Sequence, residues 1–406
     1  MMTKKLVSLL LALAMALSMA ACSPAQTETT PVPAVETPEP VAEEPQGEAP
    51  QPEEGTVLEA DVLVIGCGLS GLTSSLAAAQ NGASVITLEK MAFAGGNAIL
   101  STGILQAAGS SLQAKAGIED SPEKYLEDMR SGDAAKRDPV QMELVAARSG
   151  NTIDWLMENG VEFSETVSQG VGSTAFRAHQ SQPDATELIS GLLEAVEREN
   201  VKLLYETPAT ALLTAEDGSV TGATAVDAEG RTLTVHAKSV IIASGGFGGS
   251  PEMLEKYWGE EYARMTYAGS PGTTGEMIEA AAALGAKLTD MEEAAYGSPT
   301  VDVEKNQLVT AMVLSGGAIL TNGGGERFCN ETGNPYETAA SVVGTGEPCV
   351  YEVFDSQVFE KVYKCSIYKN MGILMEADTL EELADKAGLP IEALLKTVED
   401  YNAAVG

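Results

Sequence analysis

Residues 61–71 read DVLVIGCGLSG, residues 72–82 continue as LTSSLAAAQNG, and residues 83–90 close the unit as ASVITLEK. The order is strand, turn, helix, strand. Val62 to Ile65 is an apolar run suited to a buried parallel strand, and Gly66, Gly68 and Gly71 open a helix whose free N–H groups can hold a pyrophosphate. Gly66 permits the tight turn, Gly68 lets the backbone approach a phosphate, and Gly71 lets the helix pack closely on the strand. Glu89 ends the second strand about 20 residues on, where a carboxylate can accept hydrogen bonds from a ribose. A lone GxGxxG is a weak signal. Here the strand before it, the helix after it and the acid at the right distance agree, so the unit is read as a dinucleotide site. The alternative is a glycine-rich turn in an ordinary α/β fold. Nothing in the unit separates FAD from NAD, since both bind through the same crevice.

Upstream of this unit the chain carries export signals. Lys4 and Lys5 precede an apolar run, Leu6 to Met19, that stops at Ala20, Ala21 and Cys22. The run is short for a membrane-spanning helix of about 20 residues, and small residues stand before the cysteine as a signal peptidase requires. Residues 1–22 are therefore expected to be a bacterial lipoprotein signal with Cys22 as the lipidated N-terminus. A plain signal peptide or an uncleaved anchor is the alternative. Residues 23–56 are rich in Pro, Glu, Thr and Gln; nine Glu fall between Glu28 and Glu59, with no Lys or Arg. Prolines stiffen such a segment and like charges repel along it, so it reads as a solvated tether from membrane to domain.

Roughly 350 residues remain, more than one compact core usually holds, so two associated domains are expected. The formal net charge of -35 argues against nucleic acid or an anionic membrane surface as a partner, because no basic patch is available to neutralise phosphates. Beyond Cys22 the cysteines are Cys67, Cys329, Cys349 and Cys365. They form no CxxC pair and no CxxCH haem attachment site, so neither a built-in haem nor a zinc site is expected.

Downstream of Glu89 and Lys90 lie GGNAILSTG at 95–103, SVIIASGGF at 239–247, and PGTTGE at 271–276 opening a helix from Met277 to Leu284. Together with the unit at 61–90, these motifs, four in order, resemble the successive FAD contacts of the fumarate reductase and flavocytochrome c flavoprotein group, and the resemblance runs from about residue 61 to the end of the chain. It implies FAD as cofactor. It places Glu89 on the adenosine ribose with Lys90 beside it, and Gly96, Asn97, Ala98, Gly103 and Ile104 along the pyrophosphate and flavin. Ala209 matches the position whose backbone meets the adenine, and Ser244 and Gly245 pass under the cofactor. Thr274 and Glu276 stand where the group has Thr-Gly-Asp, with Glu276 one methylene longer than the usual Asp. Arg177 and His179 match a segment near the FAD domain, where His179 reads as structural rather than catalytic.

After residue 290 the pattern resembles the group's mobile capping domain, which closes over the substrate and shields the flavin from water. Fumarate reductases of the group protonate one alkene carbon with an arginine while the other receives hydride, and clamp the carboxylates with further charged groups. Here the resemblance puts Ser298 at the histidine of His-Pro-Thr, keeps Thr310, and puts Ala311 at the partner glutamate. Leu314 stands at the clamp arginine, and Pro335 at or beside the proton-donating arginine. Four departures at the chemical positions argue against fumarate as the substrate and for a larger or less charged acceptor. Tyr336 is the candidate proton donor, with Thr310 and Ser298 as further candidate site residues. Arg327 is a second candidate, though its setting in Gly-Glu-Arg-Phe favours a structural ion pair.

A helical hairpin is expected next, with a capping-box-like start at residues 378–381, a stop at Gly388 and a second helix through Leu394, Leu395 and Tyr401. In the resembling group the chain would continue with another substrate-binding His and Arg and a glycine-rich return to the flavin. A fragment is the favoured reading of the end at Gly406, ahead of a frameshifted product or a natural truncation.

The expected architecture is α/β. A Rossmann-like FAD domain of the glutathione-reductase type, residues 57–290, carries an inserted α+β capping domain, residues 291–406. The expected activity is that of an extracytoplasmic flavin reductase of an unsaturated organic acid or enone. An external electron-donor protein or membrane carrier would supply its electrons, because no haem motif or second flavin domain is recognisable. The rivals are a ring-ketone-desaturating dehydrogenase, since one scaffold positions flavin for either direction, and a truncated surface lipoprotein without activity.

Overall fold

The structure is a computed structural model that describes residues 55–131, 138–170, 173–182, 184–292, 301–302, 307–333, 335–362 and 364–405. Cys22, Ser298 and the side chain of Tyr336 lie outside the described residues, as do the signal and almost all of the tether. No helix among the described residues is long and apolar enough to cross a membrane.

Six strands build the main sheet: β1 (Thr56–Ile65), β2 (Val85–Leu88), β6 (Lys202–Leu204), β7 (Ala209–Thr214), β8 (Val220–Val226) and β9 (Thr232–Ile242), in the order β6-β2-β1-β9-β8-β7. β6, β2, β1 and β9 run parallel, and β9, β8 and β7 form an antiparallel meander. The register pairs Ile65 with both Leu88 and Ile242, which brings the carboxyl ends of three parallel strands level with one another. β1 is longer than the apolar run at 62–65 because its first half pairs with β9 from Thr56 onward. Only its second half is buried, with Leu63 and Val64 fully enclosed.

The helix Leu69–Gln80 starts at Gly68 and has no acidic residue in its first turn. Its close approach to β1 requires glycine at position 71, where a Cβ would lie 1.9 Å from the Gly66 carbonyl oxygen. Leu72 and Leu76 face the helix Ala185–Arg198 through Leu188, Leu192 and Val196 in one apolar cluster. A second cluster joins Leu63, Ile65, Ile86 and Leu88 to Ala223, Val235 and Met277. Three short strands, β3 (Ile104–Gln106), β4 (Ser168–Gln169) and β5 (Phe176–Gln180), make a small antiparallel sheet in the order β3-β5-β4.

Beyond residue 290, β10 (Val301–Asp302) pairs with β11 (Gln307–Leu308), and β12 (Ile319–Thr321) pairs with β13 (Tyr351–Val353), both antiparallel. Val313, Leu314, Leu320, Val358, Cys365 and Tyr368 form the principal core there. Among the described residues no apolar cluster draws buried side chains from both sides of residue 290. The helical hairpin is present as Leu380–Ala387 and Ile391–Val405, with Gly388 left-handed at φ 71°. Its cap lies one residue later than the sequence suggested. Thr379 accepts from the Glu382 N–H, because the Ser/Thr-x-x-Glu spacing is met by that pair.

Candidate functional site

At the carboxyl ends of β1, β2 and β9 the chain leaves the sheet, and the glycine turn, the Glu89 segment and the Ser244 segment enclose a cleft of 500 Å³. That volume is in the range of small-molecule and cofactor sites, and the place is where open α/β sheets take their ligands. Glu89, nine per cent exposed, joins two of the cleft's walls. Its Oε2 accepts from the Cys67 N–H and its Oε1 from the Met91 N–H, both at 2.8 Å. Each oxygen keeps acceptor capacity beyond those bonds. Burial, and then the negative charge of Glu89, push the Cys67 thiol up to about 12, so this cysteine is an inert packing group.

The far wall is the segment 267–276, which is bonded back to residues 90–97. Lys90 Nζ donates to both Glu276 oxygens, at 3.0 and 3.1 Å, and to Thr274 Oγ1, whose own hydroxyl donates to Glu276 Oε1 at 2.7 Å. Burial works against the Glu276 carboxylate, yet the bonds from Thr274, its own backbone and Lys90 outweigh it and hold the group below the usual carboxylate range. On the same wall, Asn97 Oδ1 accepts from the Ser270 N–H at 2.6 Å, while Nδ2 donates to the Tyr267 hydroxyl at 3.1 Å and to Thr273 Oγ1 at 3.3 Å.

Of the residues named from sequence, Gly66, Gly68, Glu89, Lys90, Gly96, Asn97, Ala98, Ala209, Ser244, Gly245 and Glu276 line the cleft. Gly71, Gly103, Ile104 and Thr274 do not. Gly71 is taken up by the helix packing described above. Gly103 packs on another segment, where a Cβ would stand 2.2 Å from Ser181 Oγ. Ile104 starts β3 and is half exposed, and Thr274 holds Lys90 from outside the lining. The sequence reading missed Tyr267, Ser270 and Thr273. Their partner Asn97 lies some 170 residues away, and no local pattern marks such a contact.

Leu314, which the resemblance sets at the clamp arginine, is buried at two per cent exposure in the core with Val358, Val362 and Tyr368. A leucine at this position is drawn into the core, since its burial removes apolar surface from water. Thr310 is half-buried; its N–H donates to the Tyr368 hydroxyl at 2.9 Å and its Oγ1 accepts from the Met312 N–H at 3.4 Å. Arg327 is engaged in an ion pair with the nearly buried Glu331 and lies over the Tyr401 ring. His179, fully buried, spends both ring nitrogens on the Arg177 carbonyl and Ser110 Oγ, each at 2.7 Å. Arg177, also fully buried, holds Asp120 by two bonds of 2.7 Å together with Asp128, beneath the Tyr125 ring.

The donor set fits FAD. The glycine turn lines the cleft at the start of a helix, where first-turn N–H groups have no partner within the helix, and Gly245 and Gly246 present bare backbone with no atom within 3.4 Å of where a Cβ would be. The Ser244 hydroxyl is buried at the cleft without a hydrogen-bond partner, as expected of a group that awaits a ligand. Fold and cleft thus define a flavoprotein of the dinucleotide-fold class. The chain belongs to the FAD binding domain family, which matches residues 61–405, and FAD is its cofactor.

It is 30% identical over 346 residues to a probable fumarate reductase of Shewanella frigidimarina, covering 85% of this chain and 58% of that one. The open conformation of a flavocytochrome c3 fumarate reductase superposes with a TM-score of 0.77 at 29% identity, covering 85% of this chain and 61% of that one. A 3-ketosteroid-Δ4-(5α)-dehydrogenase from Rhodococcus jostii RHA1, in complex with 4-androstene-3,17-dione, gives a TM-score of 0.65 at 25% identity over 86% of this chain and 77% of that one. The chain spans less than two thirds of the length of these fumarate reductases.

Proposed function

We propose that this chain is an extracytoplasmic FAD-dependent oxidoreductase that reduces an activated C=C bond of an unsaturated organic acid or enone. The observation that carries the reading is the cleft itself: a glycine turn, the doubly bonded Glu89 and the unpartnered Ser244 hydroxyl gathered at the carboxyl ends of parallel strands. The names of the similar proteins, fumarate reductase and ketosteroid dehydrogenase, support chemistry at a carbon–carbon bond next to a carbonyl or carboxylate. When bound, FAD supplies hydride at N5 for one alkene carbon. The glycine turn at the start of the helix Leu69–Gln80 would hold the diphosphate, and Glu89 would accept from the ribose hydroxyls. Thr310 is proposed to bond the activating carbonyl, Tyr336 to give the balancing proton, and Ser298 to bind substrate from the same domain. An external donor protein or membrane carrier would deliver the two electrons, and lipidation at Cys22 would keep the chain at the membrane beside it.

Leucine in the core at position 314 and alanine at 311 leave no charged side chain there to hold a second carboxylate. A neutral enone or a monocarboxylate therefore suits the site better than a dicarboxylate. The same observation favours a second reading, the introduction of a double bond into a ring ketone. Both are tested by loading the chain with FAD, reducing it without oxygen, and adding fumarate, an unsaturated monocarboxylate or a cyclic enone. Reoxidation by the enone or monocarboxylate is expected, with little by fumarate. Bleaching of the oxidised flavin by a saturated ring ketone, with no reoxidation by any alkene, overturns the reductase in favour of the reverse reaction.

A further inference from the structure

The segment 267–276 forms one wall of the cleft and is fastened at two places to residues 90–97, 170 or more positions away in sequence. One fastening is neutral. Asn97 takes the Ser270 N–H and gives its own N–H groups to Tyr267 and Thr273, and Ser270 and Thr273 are buried. The Tyr267 ring is seated among glycines: a Cβ at Gly248 would lie 2.4 Å from the ring, and one at Gly269 would lie 2.2 Å from its hydroxyl oxygen. Tyr267 does not line the cleft, so its bond to Asn97 positions the segment rather than touching the cofactor. The other fastening is ionic. Lys90 joins Thr274 and Glu276 at the rim, with side-chain exposures of 27% and 59% for the ion pair. A partly exposed ion pair is screened by salt, whereas hydrogen bonds between neutral groups are not.

We propose that residues 267–276 form a strap across the FAD cleft, positioned by Tyr267 on Asn97 and clasped by Lys90 on Glu276, and that release of FAD requires the clasp to open. Glu276 gives the idea a sign that simple electrostatics does not. A carboxylate beside a diphosphate ordinarily repels it, so removing the charge should tighten FAD; as half of a clasp, removing it should loosen FAD.

The proposal rests on the FAD assignment, and its test separates the two. The full chain is loaded with FAD, and release is followed by the rise in flavin fluorescence on dilution at low and high sodium chloride, for the wild type, Glu276→Gln and Tyr267→Phe. Salt is expected to speed release from the wild type. Glu276→Gln is expected to release FAD roughly fivefold faster at low salt, the size of a partly exposed ion pair, and to respond little to further salt. Tyr267→Phe keeps the ring, and is expected to release faster while keeping the salt response. Hydrogen exchange at the Ser270 amide, read on the chain without flavin, should quicken in Asn97→Ala. Slower release from Glu276→Gln, or unchanged release from both variants, overturns the strap with FAD binding intact. A wild-type chain that takes up no FAD overturns the cofactor assignment as well.

Discussion

Removing the Glu89 carboxylate should loosen the glycine turn even before any ligand is considered. Glu89 stands just past β2 and accepts one backbone N–H from the turn, Cys67, and one from the next segment, Met91, each at 2.8 Å and almost out of water. A hydrogen bond to a charged group contributes about 1.5–3 kcal/mol, and a buried donor left without a partner loses the larger part of that. Glu89→Ala strands both N–H groups and is expected to lower the unfolding free energy by about 3–6 kcal/mol. Glu89→Gln keeps one acceptor oxygen and turns an NH₂ group toward the other donor, for a loss of about 1.5–3 kcal/mol. Urea unfolding of the flavin-free chain followed by circular dichroism measures both, and titration with FAD measures the further loss from the ribose. If Glu89→Ala unfolds at the wild-type urea concentration and binds FAD as tightly, the carboxylate neither organises the turn nor reads the cofactor.

Gly71→Ala places a methyl group 1.9 Å from the Gly66 carbonyl oxygen. It should cost about 1–3 kcal/mol or more as overpacking and sharply reduce the flavin content of the purified chain, read from its visible spectrum. Arg177→Met leaves Asp120 and Asp128 buried without their cation and should destabilise by about 3–5 kcal/mol in thermal or urea unfolding; a wild-type midpoint would show that the ion-pair network contributes nothing. Burial holds the His179 imidazole below its ordinary value of 6.5. The unfolded chain therefore takes up the proton first as pH falls. The stability contribution of His179 is present above about 6.5 and is lost as pH falls through the depressed folded value. Unfolding midpoints of the wild type and His179→Gln compared between neutral and mildly acidic pH should show the wild type losing more, and parallel curves would contradict this.

What the sequence made legible was what local pattern controls. Val62 to Ile65, the three glycines and Glu89 lie within thirty residues, and strand, turn and helix each follow from their own periodicity and backbone needs. The meander after β7 was not anticipated, since it joins the sheet through β9, whose partner β1 lies some 177 residues away in sequence. For Leu314, matching a family position told which residue stood there, while its packing against Val358 and Tyr368 follows from the fold. Arg177 was noticed and its role was not, because Asp120 and Asp128 are 49 or more residues away. The rim pair of Lys90 and Glu276 was likewise visible only as two separate contacts with the cofactor until the fold brought them together.

The visible absorption spectrum of the full chain, purified and then incubated with FAD and freed of excess, shows directly whether the cleft holds flavin. One FAD per chain is expected, lost on Gly71→Ala and weakened on Glu89→Ala. A wild-type chain that is folded by circular dichroism yet colourless after incubation would contradict it.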